Sequence, residues 1–208
     1  MTQKERQARS REEIYQAALE EFGRCGYEGV NMERICGNHG ISKGMMYHYY
    51  SSKDELFLLC VGRTFAQLKE HVEGEMGRLA GRAPLEAVKA FFLVREQYFQ
   101  AHPRQKTVFE DAVLHPPKHL LEQIGRLRGP VREMNRRFIR QLVAEMPLRP
   151  SVDPKKAVRY LERAECLFQS VAEHEERAGG GEELHAAFET AEEILDMVLF
   201  GILRQPEE

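Results

Sequence analysis

The sequence is short of everything that marks an exported, membrane-spanning or metal-bound chain. Its 208 residues include four cysteines, Cys25, Cys36, Cys60 and Cys166, scattered and without a CxxC pair. Disulfide frameworks and structural zinc sites need paired spacings, so reduced thiols in a cytoplasmic compartment are the expected state. No apolar run reaches the ~18 residues of a bilayer span, so no membrane partner is expected. The stretch from Met1 to Arg11 is polar and charged, unlike an export signal. An excess of one charge is missing too. The formal net charge is −3, so any patch for nucleic acid has to be local. No Gly-rich phosphate loop, GxSxG or HExxH occurs. Catalytic residues, a metal site and a cofactor are therefore not expected, and the chain does not read as an enzyme. What is present is ordinary for a globular protein, 42% hydrophobic and 30% charged residues, enough to bury a core.

Helical periodicity dominates and no strand pattern emerges, so the expected fold class is all-α. Ser10-x-x-Glu13 reads as a capping box that opens a first helix, with Ile14, Ala17, Ala18 and Phe22 on one face and Gly26 as its stop. Asn31 caps a second helix running to about His39, where Gly40 interrupts it. Ser42 caps a short third helix ending near Tyr50. Ser52-x-x-Glu55 opens a longer fourth, with Leu56, Phe57, Cys60, Val61, Leu68 and Val72 inward. Gly74, Gly77, Gly81 and Pro84 mark a composition shift. A helix from Pro84 to about Ala101 follows, then a short one around Thr107 to Leu114. A long helical stretch from Lys118 to Met146 is expected to kink or split at Gly129-Pro130. Two last helices, about Pro154 to Ala178 and Glu182 to Leu203, carry broad apolar stripes around Gly179-Gly180-Gly181.

Three short helices followed by a longer one outline a helix-turn-helix domain. Gly40-Ile41-Ser42 is the decisive stretch. Gly40 supplies the turn, Ile41 plugs the space between helices, and Ser42 leaves the next helix with a bare amide end that suits a DNA phosphate. That third helix would lie in a major groove with its early residues against base edges.

Residues 26–57 read GYEGVNMERICGNHGISKGMMYHYYSSKDELF, and this run resembles the DNA-binding domain of the TetR family of transcriptional regulators. The resemblance covers the glycine-aromatic lead-in, the polar cap, the Gly-apolar-Ser turn, Lys-Gly, an aromatic cluster and Ser-Lys-Asp-Glu-Leu-Phe. It implies a DNA-binding role for Asn31, Ser42, Lys43, Gly44, Met45, Tyr47, His48, Tyr49 and Lys53. Tyr47 and Lys53 match phosphate contacts, Asn31 matches the cap of the second helix, and Tyr50 matches a packing phenylalanine. Elementary chemistry agrees, because lysine and tyrosine side chains position proteins on phosphates. Lys43 can reach a guanine edge and Met45 a thymine methyl. Cys36 and His39 depart from the pattern, standing where alanine is usual. At i and i+3 they suggest a metal pair that Cys25 could join, but no fourth ligand is evident and close packing is the better account. From Met1 to Lys53, eight basic residues face seven acidic ones, a net +1. Lys4, Arg6, Arg9 and Arg11 read either as an arm for the DNA backbone or as a solvated tail.

The resemblance also implies an effector pocket in the helices that follow, with Phe91, Tyr98, His102, Phe109, Glu110, Phe138 and Phe168 as candidate contacts for a small molecule of unknown identity. It implies a homodimer through the last two helices on a palindromic operator of double-stranded DNA. The expected division is 1–54 for DNA binding and 55–208 for effector binding and dimerisation, and the expected activity is that of a ligand-released repressor. The rival reading is a helical small-molecule-binding protein or enzyme whose N-terminal domain is only structural. A cofactor or catalytic cluster in the second domain would favour it.

Overall fold

The computed structural model describes residues 2–78, 82–163, 193, 197, 198 and 200–204. Its helices are α1 (Gln3–Cys25), α2 (Met32–His39), α3 (Lys43–Tyr49), α4 (Lys53–Met76), α5 (Pro84–Ala101), α6 (Pro103–Val113) and α7 (Leu121–Glu145), with a 3-10 turn at Lys118–Leu120 before α7. Residues 154–163 are also helical. Among the described residues there is no strand, only an isolated antiparallel bridge between Leu148 and Leu203. The all-α class expected from the periodicity is therefore the one observed.

The chain divides into two compact units. One comprises residues 1–71 and 95–130, the other residues 72–94 and 131–208. In the first, α1 presents Ile14, Ala17, Ala18 and Phe22, and α4 presents Leu56, Phe57, Cys60, Phe65 and Leu68, all buried. Phe22, Tyr27 and Phe57 form an aromatic knot, with Phe57 edge-on to Phe22 at 5.2 Å between centroids. In the second unit Phe91 stacks on Phe138 at 4.2 Å and 13°. Arg149 donates to the Leu203 and Phe200 carbonyls, fastening the bridge.

Several helix ends differ from the sequence-based expectation, each for a local reason. The cap of α1 lies at Thr2, eight residues before Ser10. Thr2 and Glu5 close a complete capping box, and no glycine or proline separates it from Ser10, so the helix propagates through. Gly26 does adopt positive φ, 65°, but with ψ at 174° rather than in the left-handed helical well. α6 begins at Pro103 rather than Thr107, because proline at the first helical position lacks only an amide that had no partner anyway. α7 runs on through Pro130. Pro130 is exposed, so the carbonyl left without a donor can be hydrated. Glu55 reaches back to the Ser51 amide (2.7 Å), one residue earlier than the expected box.

α1 packs on α6 at a glycine. A Cβ at Gly23 would lie 2.5 Å from Arg104 Cβ and 2.7 Å from Arg104 Cα. The obstacle is backbone, so rotamer changes cannot relieve it. Gly23→Ala is expected to force the two helices apart and cost about 1–3 kcal/mol. Urea unfolding would measure it, and an unchanged midpoint would show that α6 yields freely.

Candidate nucleic-acid interface

The turn between α2 and α3 follows from three consecutive residues. Gly40 sits at φ 65°, ψ 21°, the left-handed conformation that costs glycine little, and its amide donates to the Cys36 carbonyl. Ile41 is buried and locks the turn against the core. The Ser42 hydroxyl then accepts from the Met45 amide at 3.1 Å and starts α3. Only Met46 of α3 is buried. Lys43, Gly44, Tyr47 and His48 are exposed, and their spacing at i, i+1, i+4 and i+5 puts them on one face. Tyr47 is 52% exposed although it is a large aromatic residue. Nothing lies within 4 Å of a Cβ built at Gly44.

The remaining residues implicated by the resemblance occupy different settings. Asn31 caps α2, its Oδ1 accepting from the Arg34 amide at 2.8 Å. Lys43 Nζ is 2.5 Å from Glu33 Oε1, with both side chains largely exposed. The hydrogen bond between them raises the Lys43 pKa and lowers that of Glu33. Such a pair is weak in water and open to exchange with a competing anion. Met45 is half-buried. Tyr49 is half-buried between His48, edge-on at 4.7 Å, and the Arg11 guanidinium, 5.5 Å from its ring centre. Tyr50, expected as a packing residue, is half-buried rather than in the core. Lys53 is held inward: Nζ donates to the Tyr27 carbonyl at 3.0 Å and lies 3.9 Å over the Tyr27 ring.

Two networks that the sequence did not disclose shape this head. The first centres on Glu21, 1% exposed on the apolar face of α1. Arg34 Nε donates to it at 2.7 Å, Asn38 Nδ2 at 2.9 Å and Arg24 at 2.8 Å. His39 Nε2 lies 3.4 Å away, outside regular hydrogen-bond geometry. Burial pushes the Glu21 pKa up, but the Asn38 and Arg34 hydrogen bonds and the Arg24 and Arg34 charges outweigh it and hold the group at about 2. Arg34 also donates to Cys25 Sγ at 3.0 Å. Buried Cys36 belongs to this packing. Among the described residues no group of three or more His, Cys, Asp or Glu is placed to hold a metal ion. The second network centres on Tyr27. Its hydroxyl donates to Asp54, its amide donates to Asp111 Oδ2 at 2.6 Å, and His119 Nε2 lies 2.9 Å from Asp54. The position of Glu21, seven residues after Ile14 on the buried stripe, was the available signal for the first. The second joins residues 84 and 92 apart in sequence, and no local pattern announces it.

The candidate effector contacts fall into separate groups. Tyr98, His102, Phe109 and Glu110 belong to the first unit, Phe91 and Phe138 to the second, and Phe168 lies outside the described residues. Tyr98 is buried, and its hydroxyl donates to Gln105, which donates onward to Gln67 at 2.5 Å. Burial raises the Tyr98 pKa to about 12. His102 stacks on Tyr98 at 4.4 Å. Phe109 meets Phe65 and Phe99 edgewise or tilted. Glu110 pairs with Lys106 at 3.5 Å. The two C-terminal helices expected as a dimer face lie mostly outside the described residues.

An exposed helix carrying an ammonium, a phenol and an imidazole can hydrogen-bond phosphate and base edges, and its narrow profile can enter a groove. Comparisons with known proteins agree with that geometry. Residues 14–60 match the signature of "Bacterial regulatory proteins, tetR family". The chain is 27% identical over 111 residues to the HTH-type transcriptional repressor NicS of Pseudomonas putida, covering 53% of this chain. It thus spans about half of that relative's length, 51%. It is 24% identical over 196 residues to the HTH-type transcriptional regulator RutR of Escherichia coli, covering 91% of this chain and 88% of RutR. The fold superposes on the fatty acid degradation regulator FadR of Bacillus halodurans with a TM-score of 0.69 at 13% identity, over 89% of this chain and 94% of that one.

Proposed function

We propose that the chain is a cytoplasmic transcription regulator of the tetR family whose signature residues 14–60 match, a repressor that reads a palindromic operator with α3 and leaves it when a small molecule binds. The observation that carries this is the face of Lys43, Gly44, Tyr47 and His48, exposed on a helix whose only buried residue is Met46. Residues 1–54 do the gripping, and Asn31, Ser42, Met45, Tyr49 and Lys53 shape or extend the gripping surface. Residues 55–208 bind the effector and pair two chains through the last two helices. Two reading helices then sit about 34–36 Å apart, one turn of B-form DNA. Phe91, Tyr98, His102, Phe109, Glu110, Phe138 and Phe168 are the proposed effector contacts. Effector binding shifts affinity for DNA by about 5–150-fold, a coupling of about 1–3 kcal/mol.

Duplexes selected from a randomised pool, followed by fluorescence anisotropy, test the assignment. Tyr47→Phe removes one donor to a phosphate and is expected to weaken binding about tenfold. Lys43→Ala is expected to do the same and to flatten the dependence of log K on log salt by about 0.9. Unchanged affinity in both variants would remove α3 from the interface.

A further inference from the structure

The first eleven residues of α1 form a helical arm whose charge is sorted by face. Every residue in 3–13 is exposed except half-buried Ser10, and the first buried side chain is Ile14. The Thr2–Glu5 capping box holds this extension helical. Lys4, Gln7, Ala8 and Arg11 follow at i, i+3, i+4 and i+7 and so form one stripe. That stripe contains two cations and no carboxylate. Glu5 and Glu13 fall on the other half of the helix, interspersed with Arg6 and Arg9, and Glu12, at i+8 from Lys4, borders the stripe. Glu12 is occupied by Arg63 at 2.6 Å. Lys4 and Arg11 have no carboxylate partner among the described residues.

The stripe is aimed by a contact. The Arg11 guanidinium lies 5.5 Å from the centre of the Tyr49 ring, the last residue of α3. Arg11 thus stands beside the C-terminal end of the reading helix, and Lys4 stands two turns further out, about 10.5 Å along the axis. A helix about 10–12 Å wide is too broad for a minor groove about 6 Å wide. The partner that fits two cations spaced along an intact helix is the sugar-phosphate backbone at the edge of the major groove.

We propose that Lys4 and Arg11 clamp phosphates of duplex DNA flanking the segment read by α3, with Arg6 and Arg9 facing away. This rests on the DNA-binding reading above. Anisotropy with a labelled 30-base-pair mixed-sequence duplex between about 50 and 200 mM salt tests it, because backbone contacts need no particular operator. The full chain, Lys4→Gln/Arg11→Gln and Arg6→Gln/Arg9→Gln are compared, the two double variants losing the same formal charge. Each lost phosphate contact is expected to flatten the slope of log K against log salt by about 0.9, so the Lys4/Arg11 variant flattens by about 1.8 per head. The Arg6/Arg9 variant is expected to stay within half a contact of the unaltered chain. Equal slopes for the two variants would overturn the clamp while leaving DNA binding intact. No salt-dependent binding by the unaltered chain would overturn both. Far-ultraviolet dichroism checks that all three remain equally helical, and a loss of helix confined to the Lys4/Arg11 variant is answered by Lys4→Glu alone, expected to weaken binding at least tenfold; unchanged binding by that variant overturns the clamp.

Discussion

Gly44→Glu is expected to abolish measurable DNA binding while leaving the fold as stable as before. Gly44 lies on the exposed face of α3 between Lys43 and Tyr47, and a Cβ there meets nothing within 4 Å. Its φ is not in the positive range, so a side chain introduces no backbone strain. Within the protein the change is neutral or mildly helpful, since glycine inside a helix costs about 0.5–1 kcal/mol relative to alanine. Against DNA it is severe. The bare backbone at Gly44 lets a partner approach closely, and a carboxylate there both holds the duplex off and meets phosphate charge. Like charges set together at an interface cost several kcal/mol, and about 1.4 kcal/mol corresponds to tenfold in affinity. A loss of at least about 100-fold follows. Gly44→Ala separates the two contributions, because it adds bulk without charge and should fall between. Anisotropy and thermal melting on the same samples decide the matter. A Gly44→Glu variant that binds like the unaltered chain would place the interface elsewhere, and one that unfolds would show contacts at this position that the structure lacks.

Glu21→Ala is the corresponding test of stability, with an expected loss of about 2–3 kcal/mol. Removing one member of a buried charged network leaves the others short of partners, at about 3–5 kcal/mol when all are buried. Arg24 and Arg34 are 54% and 38% exposed, so water replaces part of what they lose and the figure is lower. For a chain of this size each kcal/mol moves Tm by roughly 2–4 °C, giving a decrease on the order of 4–12 °C. The acid dependence has a definite sign. The folded-state pKa of Glu21, about 2, lies below its ordinary value near 4.5. The unfolded chain therefore takes up this proton first as pH falls. The contribution is complete above about pH 4.5, declines between there and pH 2, and is gone below. Denaturation midpoints of the unaltered chain and Glu21→Gln, compared from pH 7 to pH 2, should converge toward the acid end. A gap that stays constant down to pH 2 would mean that the contribution does not depend on the ionisation of Glu21.

Where the fold was legible, a residue type left one backbone choice. Asn31 and Ser42 could only be caps, Gly40 could only be a turn, and the helix from Pro84 to Ala101 has the bounds its proline and the His102-Pro103 break imply. Where two signals of equal strength competed, the sequence misled. Ser10-x-x-Glu13 is as good a capping box as Thr2-x-x-Glu5, and the choice went to the one with uninterrupted helix formers behind it. The surface of α3 was legible because α3 is short and local. The ion pairs around it were not: Glu33 meets Lys43 across the turn, and Glu21 looks like one more solvated acid until α2 is packed against α1. The proposed effector contacts were least legible. Apolar spacing identifies what is buried, and it does not say that Tyr98 and Phe91 belong to different compact units.

A helix anchored by one methionine leaves its outer face open to variation. Met46 alone commits α3 to the interior. On the proposed reading, exchanges at 43, 44, 47 and 48, all exposed, answer to the DNA and hardly at all to folding. A gene of this kind can acquire a new target through a few surface changes, with the scaffold inherited whole.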